Sequence, residues 1–214
     1  LRRQLVTVGA GLDSRPFRMR DALQDTAIFE VDFPGMLAAK RRLFSASGFD
    51  YDELLHTQKQ VRHVGVDLSL EGWHEALTAQ GFDSATPALW LLEGLTGYLT
   101  EAELLSLLGV ISRLSAPSSR LAATWLAPGG EQLTMHRFVT QNPSPMLLPL
   151  GWEEVQVQTL PQAASSLRGD APALRGGERA GEGGRGGEEG AKSADIPDED
   201  ELNGRYLLSC HEKR

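Results

Sequence analysis

Apolar runs a few residues long alternate along this chain with segments whose apolar positions recur at roughly every third or fourth residue. The runs are Gln4 to Val8, Ala27 to Asp32, Val61 to Asp67, Ala88 to Leu92 and Arg120 to Leu126, rich in Val, Ile, Leu and Trp. That is the pattern of short strands buried on both faces. Between them, Ser14 to Gln24 forms a first helix with Pro16 in its opening turn. Phe33-Pro34 starts a second, with Met36, Leu37, Leu43 and Phe44 toward the sheet and Lys40 read as a surface residue. Residues 48 to 60 are a mixed connection or short helix, and Trp73, Ala76 and Leu77 mark a helix ending near Gly81. Thr100 and Glu103 have capping-box spacing, and Leu104, Leu107, Leu108, Ile111 and Leu114 form an apolar stripe that ends before Pro117. Gly129-Gly130 turns into a predicted helix through Leu133, His136, Arg137 and Val139. A sixth strand follows over Glu153 to Leu160, where Val155 and Val157 alternate with polar residues as on a half-exposed sheet edge.

Five strand-helix units followed by two strands predict one doubly wound α/β sheet. The last strand, Arg205 to Cys210, is separated from the rest by different material. Nine of the 22 residues from Gly169 to Gly190 are glycine, with Glu, Arg and Ala making up most of the remainder and no aromatic residue. Such a segment buries too little apolar surface to offset ordering entropy, so residues 168 to 203 are expected to be disordered. The domain is then 1 to 167, completed by 204 to 214 after the insert. No internal repeat is visible. The first strand begins almost at Leu1, so a segment ahead of it is expected to be missing.

Charge and cysteine content narrow the class. A net charge of −8 opposes general nucleic-acid binding, which requires a basic surface. The single cysteine, Cys210, excludes an intrachain disulfide and a cysteine-built zinc site. No apolar stretch is long enough for a membrane helix, and no signal-peptide pattern opens the chain. The expectation is a cytoplasmic protein without a membrane or nucleic-acid partner and without a bound metal.

Candidate chemistry lies at the carboxyl ends of the strands, where open α/β sheets bind ligands. Gly9-Ala10-Gly11 follows the first strand where the backbone turns sharply and can approach a ligand. Asp32 ends the second strand 21 positions after Gly11, the spacing of a carboxylate that accepts from a ribose diol. Glu30 is the competing carboxylate on the same strand face, but Asp32 is nearer the binding edge. Asp67 and Leu68 end the third strand, where a base could take the carboxylate and a backbone N–H; an acid there is as often a helix cap. Glu93 opens the polar, flexible stretch Glu93 to Tyr98 and is the sharpest candidate contact there. Arg15, Arg18 and Arg20 form a solvated or carboxylate-facing side. A nicotinamide-linked oxidoreductase shares the loop and the acid, but Ser14 stands at the third glycine position and no Tyr-x-x-x-Lys pair occurs.

The motifs GAGLDSRPFRM, FEVDFP with Lys40 after it, VGVDL and LLEGLTGYLTEAE, in that order, resemble the leucine carboxyl methyltransferase family, in particular its bacterial-type branch of S-adenosylmethionine-dependent O-methyltransferases. The resemblance covers residues 4 to 160 and resumes at the final strand. It implies a Rossmann-like class I methyltransferase sheet of seven strands, the last antiparallel between the fifth and sixth. It implies S-adenosyl-L-methionine as cofactor, with Gly9 and Gly11 against its methionine part, Asp32 on the ribose hydroxyls, Asp67 and Leu68 around the adenine, and Glu93 fixing the amino-acid portion. The implied acceptor is a small-molecule carboxylate or hydroxyl, or a protein C-terminal carboxylate. A carboxylate acceptor requires no general base; a hydroxyl would make His136 or Tyr98 the candidates. Family members carry, ahead of the glycine loop, a helical cover that supplies a basic contact to the cofactor carboxylate. Its expected absence leaves the alternative of a catalytically impaired fold that only binds cofactor or a partner.

Overall fold

The computed structural model describes residues 3–48, 61–128, 135–159 and 206–213. Its elements are β1 (Arg3–Val8), α1 (Arg15–Arg18), α2 (Arg20–Leu23), β2 (Thr26–Asp32), α3 (Pro34–Ala46), β3 (Val61–Gly65), α4 (Trp73–Ala79), β4 (Ala88–Leu92), α5 (Glu101–Leu114), β5 (Arg120–Leu126), α6 (Ser144–Leu147), β6 (Trp152–Thr159) and β7 (Tyr206–Lys213). The strands form one seven-stranded sheet in the order β3-β2-β1-β4-β5-β7-β6. β1 to β5 pair in parallel, and β7 lies antiparallel between β5 and β6, as the family resemblance implies. The predicted insert, 168 to 203, lies outside the described residues.

Alternation along β1 separates two layers. Val6 and Val8 join Phe29, Val31, Trp90, Leu92 and Trp125 in the main core, together with Leu77 of α4 and Leu104, Leu107 and Leu108 of α5. Phe82 joins this layer through ring contacts at 5.7 Å to Phe29 and 5.3 Å to Trp90. The opposite face carries a smaller cluster of Leu5, Ile28 and Val61, with Leu23 and Leu91 packed against it. Every residue of β2 is buried, which is why its sequence reads as continuous rather than alternating. β6 is an edge strand, in keeping with its predicted place.

Helix boundaries follow local chemistry. The α5 capping box forms as its spacing predicts: Thr100 Oγ1 accepts from Glu103 N at 3.3 Å, and Thr100 N donates to Glu103 Oε2 at 2.8 Å. Pro34 occupies the first turn of α3.

Four expectations are corrected. The first helix is two four-residue turns broken at Met19 rather than one span from Ser14 to Gln24. β3 ends at Gly65, so Asp67 stands beyond the strand. Residues 135–140 are irregular, because Arg137 N donates to Gly97 O and Thr140 N to Leu126 O instead of to helical carbonyls; residues 129–134 lie outside the described residues. Lys40 is fully buried rather than a surface residue, and its Nζ donates to Glu30 Oε1 at 2.7 Å.

Candidate cofactor site

The chain reverses its strand order between β1 and β4, so the crossovers from these neighbours leave on opposite faces and their carboxyl ends open a crevice. The glycine loop enters it from β1 and Glu93 from β4. Gly9 N and Ala10 N both donate to Val31 O, at 2.8 and 3.1 Å, folding the loop back over the end of β2. Gly9 holds φ +72° and Gly11 φ +46°, conformations that a side chain rarely adopts. A Cβ on Gly9 would come within 3.2 Å of Leu95, whereas one on Gly11 would project into open space, so the bare backbone there is left accessible.

Asp32 organises this corner. Its Oδ2 accepts from Gly11 N at 2.7 Å and its Oδ1 from Phe33 N at 2.7 Å, while 9% of the residue stays exposed. Each carboxylate oxygen accepts more than one hydrogen bond, so these contacts orient the group and leave acceptor capacity. Glu30 is removed from the contest. It is fully buried with Lys40, and its Oε2 faces His63 Nε2 at 3.2 Å.

Arg15 closes the other wall. Its Nε donates to Asp13 Oδ1 at 2.9 Å, the same oxygen accepts Arg15 N at 2.8 Å, and a terminal guanidinium nitrogen reaches Glu93 Oε2. Burial opposes the charge, but Asp13 and Glu93 outweigh it and hold the guanidinium above its ordinary value. Thr7, Gly9, Ala10, Gly11, Leu12, Asp13, Arg15 and Glu93 together enclose a cavity of about 260 Å³. Thr7 is only 3% exposed, and its Oγ1 has no hydrogen-bond partner. An orphaned hydroxyl in a cavity wall, beside a glycine loop that no side chain covers at Gly11, fits a polar ligand seated on the loop.

Gly9, Gly11 and Glu93 thus line one cavity, with Asp32 bonded to its glycine loop. Asp67 and Leu68 stand to one side. Val66 N donates to Asp32 O at 2.9 Å, which fixes the start of this neighbouring segment. Asp67 Oδ1 accepts from Ser69 N at 2.9 Å and Ser69 Oγ at 2.6 Å, and these bonds, side chain first, hold its carboxyl below the ordinary range. Leu68 packs against the main core and lines a separate cavity of about 620 Å³ with Trp73, Glu103 and Arg113. That larger cavity is lined by the loop 68–72 after β3 and by α4 and α5, and neither the glycine loop nor Glu93 reaches it, so the smaller one, at the crevice between β1 and β4, is the better candidate for the chemistry. A third hollow, of about 50 Å³, holds Thr96, Tyr98, Thr124 and His136. The Tyr98 and His136 rings lie 5.5 Å apart and nearly edge to face.

Arg15 is the site residue that sequence reading grouped with its arginine neighbours. The distinguishing signal was available: it follows Asp13 by two positions, the spacing at which an Asp side chain reaches a backbone N–H. Arg18, by contrast, is exposed and donates to Ser14 Oγ.

A Streptomyces coelicolor protein named as a candidate S-adenosyl-L-methionine-dependent methyltransferase is 45% identical over 122 residues, which are 56% of this chain and 37% of that protein. A Mycobacterium marinum protein of the same designation is 38% identical over 137 residues, 63% of this chain and 40% of its own. The chain therefore spans well under half the length of the curated relatives it matches. Among solved structures, a candidate methyltransferase of Thermobifida fusca superposes with TM-score 0.63 at 18% identity, covering 99% of this chain and 73% of that one. The Burkholderia thailandensis 1,6-didemethyltoxoflavin-N1-methyltransferase with bound S-adenosylhomocysteine does so with TM-score 0.55 at 14% identity, covering 98% and 70%. These two likenesses show the fold. Residues 2–112, half of the chain, match the sequence profile of leucine carboxyl methyltransferase, and the chain belongs to that family.

Proposed function

We propose that this chain carries the cofactor core of an S-adenosylmethionine-dependent methyltransferase that acts on an oxygen, most simply a carboxylate of a small acid or of a protein C-terminus. The observation that carries the reading is the meeting of Asp32 with the Gly11 amide at the mouth of a cavity whose wall holds the unpartnered Thr7 hydroxyl. Family membership and the cofactor-dependent relatives support it.

In this reading Gly9 and Gly11 approach the methionine part, and Asp32 accepts from the ribose hydroxyls. Asp67 and Leu68 border the adenine, and Glu93 takes the ammonium group. S-adenosylmethionine, when bound, supplies a methyl group already activated by its sulfonium centre. The residues of this chain then orient the acceptor oxygen and exclude water. A carboxylate acceptor is ionised at neutral pH, so none of these residues has to remove a proton.

A hydroxyl acceptor is the second reading, and one observation favours it. His136 Nδ1 is buried without a partner beside Tyr98, in the hollow that adjoins the end of β5. Transfer to a hydroxyl would fall steeply in His136→Ala or Tyr98→Phe, whereas transfer to a carboxylate would not.

Calorimetric titration with S-adenosylmethionine, S-adenosylhomocysteine and NAD tests the main reading. Saturable binding of the first two and none of NAD is expected. A folded chain that binds NAD, or binds neither adenosyl compound, would refute it.

A further inference from the structure

Arg15 and Glu93 line two cavities, the one at the glycine loop and a second of about 270 Å³ that the proposed function leaves unassigned. Leu91 and Leu92 of β4, with Ala122, Ala123 and Thr124 of β5, complete the second. Thr124 also lines the hollow that holds Tyr98 and His136, so this cavity borders both of the others. Its space exists because alanines stand where β5 meets β4: Leu91 pairs with Ala122, and Leu92 with Ala123. Leu91 and Ala122 lie on the sheet face of the smaller apolar cluster, and both are only half-buried.

The lining changes character along both strands. Leu91-Leu92-Glu93 and Ala122-Ala123-Thr124 each run from apolar to polar toward the carboxyl edge, where the glycine loop stands. Among the four aliphatic side chains, a polar group would lose its water without gaining a partner. At the polar edge, Thr124 Oγ1 accepts from Gly94 N at 2.8 Å, which leaves its proton to be donated to a ligand oxygen. Arg15 supplies the cation of the shared wall, while Glu93 is committed to Arg15 and, in the proposed function, to the cofactor's ammonium. A molecule with a carboxylate at one end and an aliphatic chain at the other matches both parts.

We infer that this second cavity is the acceptor pocket and that the acceptor is an aliphatic carboxylic acid, its chain against Leu91 and Ala122 and its carboxylate at the Thr124 hydroxyl. Ala122 is then the specificity-determining residue, because its short side chain leaves the room that the aliphatic chain takes. This assignment rests on the cofactor and carboxylate readings above; what the cavity adds is the place of the acceptor and the apolar nature of its body.

The test is a ligand-observed NMR titration of the chain, saturated with S-adenosylhomocysteine, with butyrate, hexanoate and adipate. It is run on the unsubstituted protein and on Ala122→Val and Ala122→Leu. Thermal unfolding verifies that each is folded, and calorimetry that each binds S-adenosylhomocysteine. Hexanoate should bind about tenfold more tightly than butyrate, the scale of two further buried methylenes. Adipate, which carries a second carboxylate at the end of the same chain, should bind no more tightly than butyrate. Filling the pocket weakens hexanoate by about threefold in Ala122→Val and more than about tenfold in Ala122→Leu, with S-adenosylhomocysteine within about twofold in both. Unchanged hexanoate affinity in folded Ala122→Leu overturns the assignment, as does adipate binding as tightly as hexanoate. So does a chain that binds S-adenosylhomocysteine and no hexanoate, which leaves the cofactor reading standing. A folded chain that does not bind S-adenosylhomocysteine overturns the cofactor reading and this assignment with it.

Discussion

Asp32 has two duties that substitution can separate. It fixes Gly11 N and Phe33 N, and in the proposed function it also accepts from the ribose. Asp32→Ala should weaken S-adenosylhomocysteine by about 1.5–3 kcal/mol, the scale of hydrogen bonds to a charged group, or roughly 10- to 100-fold by calorimetry. Asp32→Asn keeps an acceptor for Gly11 N and should recover more of the melting temperature than of the affinity. Unchanged affinity in a folded Asp32→Ala protein would remove Asp32 from the site. Glu30→Ala makes a poor control, since it leaves Lys40 fully buried without its carboxylate partner. Removing one member of a buried pair costs about 3–5 kcal/mol, so Glu30→Ala and Lys40→Ala should each unfold much of the protein in chemical denaturation. Glu30→Leu with Lys40→Met should restore most of the loss, because well-packed apolar replacements are often neutral. At this scale the sequence was legible where a residue's place on a strand decides its role, as for Gly9, Gly11 and Asp32. It misled at Lys40, which stands beside Arg41 and Arg42 and so reads as surface. The overlooked signal was Glu30 itself: a carboxylate inside a fully buried strand requires a cation, and Lys40 shares an α3 face with buried Leu37, three positions back.

Among the helices, α5 was legible because its stop and start are written in side chains, and its capping box provides a pH-dependent test. Thr100→Ala should cost about 1 kcal/mol, read as a lowered midpoint in denaturant. Glu103 is held below its ordinary value, first by the Thr100 N–H, then by the Thr100 hydroxyl, with Arg137 adding less. Its folded-state value lies below its unfolded one, so its contribution is present above the unfolded value. That contribution is lost as pH falls from the unfolded value, about 4.3, through the lower folded one. The melting temperature should therefore decline over this acid window, and Glu103→Gln should flatten the part due to this group. An identical pH profile for the variant would assign the decline to other carboxylates. The segments that were misread lacked such endings. In the first helix, nothing in the local pattern specified the break at Met19. Across 135–140 helical spacing was present, but the backbone N–H groups of Arg137 and Thr140 are taken by Gly97 and Leu126, a long-range pairing that periodicity cannot register.

The whole molecule is organised by two departures from sequential order, the switch between β1 and β4 and the insertion of β7 between β5 and β6. The first makes the crevice; the second joins β6 to the sheet. β7 pairs with β5 from Arg120↔Glu212 to Leu126↔Tyr206, and with β6 from Trp152↔Lys213 to Thr159↔Leu207. Its far end is tied down as well: Lys213 Nζ donates to Ser112 Oγ at 2.7 Å and to Leu150 O, and lies 5.6 Å from the Trp152 ring centre. The return of apolar residues after the glycine-rich stretch and the family resemblance made a final strand legible, although the strand-forming stretch itself, RYLLSC, is too short to state its neighbours. The ladder has a consequence for chain connection, because Thr159 and Leu207 face each other directly. Residues 161 to 204 can therefore be replaced by a short Gly- and Asn-containing turn without stretching either strand. Loop-closure entropy changes slowly with length and favours the shorter connection, so this excision should leave the melting temperature the same or higher. Deleting 205 to 214 instead removes the strand that joins β5 to β6, uncovers both ladders and severs the anchor at Ser112. That protein should fail to unfold cooperatively. A marked loss of stability on excision would mean that the removed residues pack against the sheet; cooperative unfolding after deletion would mean that β1 to β5 form the folding unit without β7.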